Sequence, residues 1–252
     1  MTVWALMLEY DGTPFVGWQR QQNGLSVQQL LENAAARLSG GAPVATTVAG
    51  RTDAGVHAEA QVAQLSLATP LSPDRLREAL NYHMKPHPVA VLRVAPAREG
   101  WNARFSAVGR AYRYRILNRR PRPALHVGRV WHVPAPLDAA AMHDAAQSLL
   151  GRHDFTSFRA VGCQANSPLR TLDRLDVRRD GEMIEIIAEA RSFLHHQVRN
   201  MAGTLKLVGD GHWPPARVAA ALAARDRSAA GPTAPPDGLY LTGVQYPVDP
   251  FG

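Results

Sequence analysis

The chain carries one cysteine, Cys163, in 252 residues, so no internal disulfide can form. That fits a reducing compartment. Lysine is nearly as scarce. Of 28 basic side chains only Lys85 and Lys206 are lysine, which leaves 26 arginines. No apolar run approaches the roughly 20 residues that a membrane span needs. The first residues lack the basic segment of a signal peptide, and Glu9 and Asp11 interrupt the early apolar stretch. Together these absences argue against a disulfide-stapled secreted domain and against a membrane protein. The expectation is a cytoplasmic one. A further absence is local: from Gly100 to Leu137 there is no Asp or Glu.

What is present begins with enough apolar residues, 46%, to build a packed core. The length exceeds the needs of one small domain and falls short of two full-sized ones. The net charge is +7, carried almost wholly by arginine. Its planar fork suits phosphate, and its flat face stacks on bases. A balance of this kind suits a polyanionic partner, although a basic soluble protein without one has the same composition.

Along the chain, residues 3–9 read as a strand. Ser26 is an N-cap, with Gln29 in the capping-box position, for a helix to Leu38. Residues 44–49 and 61–67 read as strands. Ser72-Pro73 opens a second helix, and residues 88–95 make a fourth strand. This order, β-α-β-β-α-β, is the split ferredoxin-like pattern. The second half repeats the order without repeating the sequence. It has a strand at 111–117, a helix at 138–150, and strands at 172–177 and 183–188 around the Asp180-Gly181 turn. A helix at 193–208, another at 215–225 and a strand at 239–246 follow. Arg119–Pro136 and residues 226–237 read as connecting loops. The fold class expected is α+β.

Three segments carry chemistry. Gly50-Arg-Thr-Asp-Ala-Gly-Val-His57 joins two predicted strands by more residues than a plain hairpin needs. It sets an acid, a base and a hydroxyl between two conformationally free glycines. On its own it also reads as an ordinary polar turn. The acid-free stretch holds eight arginines, among them Arg110 and Arg113, interleaved with Trp101, Phe105, Tyr112, Tyr114 and Trp131. Charge for phosphate and rings for bases are what a nucleic-acid surface requires. In Ala111-Tyr-Arg-Tyr-Arg115, strand alternation puts tyrosines on one face and arginines on the other; Tyr114 equally suits a core. In the helix expected at 193–208, Leu194, Val198, Met201 and Leu205 form an apolar stripe, with Arg199 at its edge. That arginine alone reads as a surface residue. His195-His196 matches no zinc spacing, and two neighbours on a helix point apart, so no metal site is expected.

Six segments in order resemble the bacterial tRNA pseudouridine synthase A family. They are Leu8-Glu-Tyr-Asp-Gly-Thr…Gly17-Trp-Gln-Arg-Gln21, Gly50–His57, Arg104-Phe-Ser-Ala…Tyr112-Arg-Tyr114, His153–Arg159, Phe193–Asn200 and Gly238–Leu241. The resemblance implies the pseudouridine-synthase fold, two ferredoxin-like halves with a central cleft. The halves would be residues 1–102, with the aspartate loop, and 103–252. It implies conversion of uridine to pseudouridine at positions 38, 39 and 40 of the tRNA anticodon stem-loop by a homodimer without cofactor or metal. By motif, Asp53 is the catalytic aspartate, Arg199 its basic partner, and Tyr112 the ring that packs on the target base. Arg51 resembles the arginine that holds the flipped nucleotide. Arg20, Arg110 and Arg113 are further expected substrate contacts. Gln197 stands where many relatives have Met, and Asn81–Pro88 departs from the usual Leu-Pro-rich stretch. From the residues alone, a non-catalytic RNA-binding protein is the alternative. A metabolic enzyme for a small phosphorylated ligand fits the long Arg-rich stretch less well.

Overall fold

A computed structural model describes residues 2–252. It has two compact units, Met1–Arg110 with Leu241–Gly252, and Ala111–Tyr240. The first unit has the order read from the sequence: β1 (Thr2–Tyr10), α1 (Val27–Leu38), β2 (Thr46–Val48), β3 (His57–Leu67), α2 (Pro73–Met84) and β4 (Val89–Pro96). Its strands pair antiparallel in the order β4-β1-β3, with β2 on β3. Trp4, Leu6, Leu8 and Tyr10 alternate along β1 and are all buried, as a period of two requires. Helix α1 starts where Ser26 Oγ accepts the Gln29 N–H at 3.1 Å. It buries Val27, Leu30, Leu31, Ala34 and Ala35, one face of a 3.6-residue period. Helix α2 starts at Ser72, with Pro73 at its first position, and buries Leu76, Leu80 and Met84.

The second unit contains β5 (Gly109–Leu117, counted from Ala111), β6 (Trp131–His132), α3 (Ala139–Gln147), β7 (Gly151–Asp154) and β8 (Leu169–Asp180). β9 (Met183–Ala190), α4 (Gln197–Gly209) and α5 (Ala216–Ala224) follow. The strand order is β5-β9-β8-β7, with β6 running parallel to the end of β5. Strands β8 and β9 turn at Asp180–Met183 around the expected Asp180-Gly181 turn. The last strand, β10 (Leu239–Gln245), begins in this unit. From Leu241 on it belongs to the first, where it lies beside β3.

Four features depart from the sequence reading. The division falls after Arg110 rather than after residue 102. Ala103 is tied into the first unit at both ends of its peptide, its N–H to Gln64 Oε1 and its carbonyl to the Tyr246 hydroxyl, each 2.6 Å. Strands β6 and β7 were not foreseen. β6 has only two residues, and β7 begins at a glycine in left-handed backbone (φ 89°); neither is long enough to show a period. Helix α4 starts at Gln197 rather than at 193. His196 takes a left-handed backbone (φ 62°), and the Gln197 side chain folds back to accept the Leu194 N–H at 2.8 Å. His195 and His196 are therefore not on a helix. Their rings lie against each other, with centroids 4.0 Å apart and planes tilted by 42°, so they do not point apart.

No helix among the described residues is long and apolar enough to cross a membrane. Ser26 itself is fully buried. Ser26→Ala should lower the unfolding free energy by about 1 kcal/mol, read from urea midpoints; an unchanged midpoint would remove Ser26 as the helix start.

Candidate active site

The segment that carries Asp53 is a loop between β2 and β3 whose backbone is held from several sides. At its start, Gln61 Nε2 donates to the Gly50 carbonyl at 2.8 Å, and Arg110 Nη2 donates to the Ala49 carbonyl at 2.7 Å. In the middle, the Trp18 N–H donates to the Thr52 carbonyl at 3.0 Å and the Gly55 N–H to the Phe15 carbonyl at 3.3 Å. The Val56 N–H closes a turn on the Asp53 carbonyl at 3.1 Å. Gly55, third in that turn, has φ 77°, a conformation that side-chain-bearing residues rarely adopt. The loop lies so close to residues 11–18 that a Cβ on Gly12 would stand 2.0 Å from the Val56 carbonyl oxygen.

Beneath this loop is a buried polar layer. The Tyr10 hydroxyl lies 2.8 Å from Thr52 Oγ1 and accepts from Gln61 Nε2 at 3.3 Å. Thr52, Gln61 and Tyr10 are all buried. His57 is 2% exposed and its Nδ1 accepts the Gly12 N–H at 3.0 Å. Asp11 Oδ1 lies 3.2 Å from the same nitrogen. Burial pushes the Tyr10 phenol up to about 12, while its bonds with Thr52 and Gln61 pull the other way. Asp53 is half-buried and Arg51 exposed.

In the second unit, Tyr112 is 9% exposed and meets the Phe193 ring edge-on at 5.2 Å. Tyr114, two residues on, is fully buried and donates to the Pro235 carbonyl at 2.8 Å; it is the core tyrosine of the pair. Burial holds its phenol well above the usual range, against the nearby positive charge of Arg199. Arg199 is on the first turn of α4. Its Nε donates to the Ala234 carbonyl at 2.8 Å, and its own carbonyl accepts the Ala234 N–H at 3.1 Å. The next residue, Asn200, is wholly buried. It donates to the Phe158 carbonyl at 2.8 Å and accepts from Thr233 Oγ1 at 2.6 Å and Arg227 Nη2 at 3.1 Å. Residues 226–237, read as a plain connection, are thus a strap stitched along α4 that fixes the guanidinium of Arg199.

The other predicted arginines have protein partners. Arg20 pairs with Glu32 at 2.9 Å. Arg110 donates to the carbonyls of Ala49, Arg104 and Ala107. Arg113 and Arg115 face Glu185 at 3.6 and 3.9 Å, and Arg178 pairs with the same carboxylate at 2.6 Å. Three guanidinium groups thus gather around one carboxylate. Of the predicted residues, Arg20, Arg51, Asp53 and Arg110 are in the first unit and Tyr112, Arg113 and Arg199 in the second.

Comparison with known proteins decides what this arrangement belongs to. The family model described as tRNA pseudouridine synthase matches residues 6–106 and 145–247. A tRNA pseudouridine synthase A of Acidiphilium cryptum is 73% identical over 252 residues, covering all of this chain and 99% of the relative. That of Rhodospirillum centenum is 63% identical over 98% of this chain and all of the relative. That of Gluconobacter oxydans is 56% identical over 98% and 91%. The chain belongs to the tRNA pseudouridine synthase A family. Its mixed α and β architecture, with the β-α-β-β-α-β order, is that of the pseudouridine-synthase fold. Arg20, Arg51, Asp53 and Arg199 lie inside the matched segments of the family model; Arg110, Tyr112 and Arg113 lie between them.

Tyr10, Gln61 and Asn200 were not singled out from the sequence as parts of the site. A signal existed for two of them. Tyr10 is at an inward position of an alternating strand, where a buried phenol needs a partner. Gln61 is a polar residue in a strand whose neighbours Val62 and Ala63 are buried. Nothing local marks Asn200, whose partners come from residues 158, 227 and 233.

Two outcomes follow. Asn200→Ala removes the donor to the Phe158 carbonyl and the acceptor shared by the Thr233 hydroxyl and Arg227, which keeps its bonds to the Ala230 and Gly231 carbonyls and to Thr233. It should cost about 2–4 kcal/mol in urea unfolding, and a cost under about 1 kcal/mol would show that the strap is held elsewhere. Tyr10 has its pKa raised on folding, so its stabilisation is complete below the unfolded value near 10 and lost as pH rises towards about 12. Wild type should therefore lose about 2–3 kcal/mol more than Tyr10→Phe across that window. Equal alkaline losses in the two proteins would contradict the shift.

Proposed function

We propose that this protein converts uridine to pseudouridine at positions 38, 39 and 40 of the tRNA anticodon stem-loop. Asp53 is the catalytic carboxylate, Arg199 its basic partner, and Tyr112 the ring that packs on the target base. The observation that carries the reading is the end-to-end family match joined to the built loop around Asp53, whose backbone is anchored before any substrate arrives. We further propose that the chain acts as a homodimer in the cytoplasm, without cofactor or metal.

The chemistry needs little more than positioned groups. The N1–C1′ bond breaks, the base turns, a C5–C1′ bond forms, and the proton lost from C5 is balanced by one taken up at N1. There is no net redox change. The difficult species is the electron-deficient C1′, which a carboxylate stabilises or traps, as in retaining glycosidases. Removal of a proton on the way to a glycal is the other role open to Asp53. A neighbouring guanidinium favours the ionised carboxylate that either role needs. A stem uridine is stacked and paired, so it must be flipped out to be reached. Exposed Arg51, two residues before Asp53, is suited to hold the vacated position. The arginine-rich surface of β5 and its neighbours supplies phosphate contacts, which weaken steeply with salt.

Release of tritium from C5-labelled uridine in tRNA tests the proposal. Wild type should release it, and Asp53→Asn should lower the rate by at least about 1,000-fold while still binding tRNA. Binding without release by the wild type would leave a non-catalytic RNA-binding protein. Full turnover by Asp53→Asn would remove the aspartate from the mechanism.

A further inference from the structure

Thr52, the residue before Asp53, is fixed through both of its polar ends. Its carbonyl accepts the Trp18 N–H at 3.0 Å, and its hydroxyl lies 2.8 Å from the Tyr10 hydroxyl. Gln61 Nε2 donates to Tyr10 Oη and to the Gly50 carbonyl. The Tyr10 and Thr52 hydroxyls share one hydrogen bond, so the chain runs unbroken from Gln61 through Tyr10 to Thr52. Gln61 Oε1 is taken by the Val62 N–H at 3.1 Å, which fixes the orientation of the amide.

Tyr10 and Gln61 are on β1 and β3, which pair directly through Tyr10 with Ala58 and Leu8 with Gln61. Trp18 is buried against Tyr10, with ring centroids 6.2 Å apart. The phenol thus stands on two paired strands and reaches up into the loop. None of these side chains is exposed, so none is a candidate for contact with a large substrate. We propose that Tyr10 is a positioning residue for the reaction: its hydroxyl, through Thr52, sets the direction in which Asp53 leaves the loop.

The inference rests on Asp53 being the catalytic carboxylate. It goes beyond that reading by assigning the rate to a buried hydroxyl that no substrate touches. A carboxylate displaced by about 1 Å from its working position costs on the order of 100-fold in rate. Burial favours the neutral phenol, so the hydroxyl persists at any pH at which the protein is assayed.

The test uses the full chain and tritium release from C5-labelled tRNA, with kcat and KM measured for Tyr10→Phe, Thr52→Val, Thr52→Ser, the Tyr10→Phe/Thr52→Val double variant and Asp53→Asn. Tyr10→Phe should lower kcat by roughly 10- to 100-fold, with KM for tRNA within about two-fold of wild type. Thr52→Val should do the same. Thr52→Ser keeps the hydroxyl and should restore kcat to within about three-fold of wild type. The double variant should be no slower than the slower single one, because both break one bond. Should Tyr10→Phe fail to fold, the contrast between Thr52→Val and Thr52→Ser carries the same decision. A merely structural hydroxyl would lower the melting midpoint and leave kcat unchanged at temperatures where the variant is folded. That result, with Asp53→Asn inactive, overturns the positioning role and spares the aspartate. Active Asp53→Asn overturns both.

Discussion

The hydrogen bond from the Trp18 N–H to the Thr52 carbonyl is the constraint on which the Asp53 loop depends. It ties the loop to the segment that leads into α1. The same segment is fixed in turn by Val27 N–H to the Gly17 carbonyl and Gln28 N–H to the Trp18 carbonyl. The helix start, the Trp18 turn and the Asp53 loop are thus one hydrogen-bonded body. Gly12 completes it, because only a residue without Cβ lets the two segments approach as they do. A loop held this way has lost its conformational freedom during folding rather than at the moment of reaction, which is the physical content of preorganisation.

The second unit solves the corresponding problem for an arginine. A long flexible side chain is a poor tool unless something restrains it. Here Nε of Arg199 is tied to the backbone of Ala234, and the strap that carries Ala234 is tied to α4 through Asn200 and through Thr204, whose hydroxyl accepts the Gly231 N–H. In the first unit main-chain bonds hold the loop that carries Asp53, in the second a main-chain carbonyl holds Nε of Arg199, and in each a buried polar residue lies next in sequence, Thr52 and Asn200. Such networks specify geometry because each member left unpaired is costly.

The arginine content takes on a different meaning once partners are visible. As a composition it suggested phosphate contact throughout. Arg110 instead spans three carbonyls at the root of the Asp53 loop, and Arg20 closes on Glu32 and, through its N–H, on Gln28. The planar fork that suits phosphate equally suits carboxylate and carbonyl oxygen. Composition therefore cannot separate the two uses, and Arg113, Arg115 and Arg178 likewise gather around the single carboxylate of Glu185.

By itself the sequence determined the elements whose causes are local. Helix α1 begins at Ser26 and helix α2 at Ser72 because a side-chain oxygen three residues before an amide is a property of the chain. Strand alternation and the Asp180-Gly181 turn are local in the same sense, and so was the motif that named Asp53. What tertiary structure decided involves partners far apart in the chain. The membership of Ala103 in the first unit depends on Gln64 and Tyr246. The start of α4 at Gln197 came with a left-handed His196 that no propensity announces. The strap at 226–237 has no periodicity of its own and is defined by what it bonds to. The loop that carries Asp53 was legible as a segment longer than a plain hairpin needs, but its support was not: Tyr10 and Thr52 are 42 residues apart, and only the pairing of β1 with β3 brings Tyr10, Gln61 and the loop together.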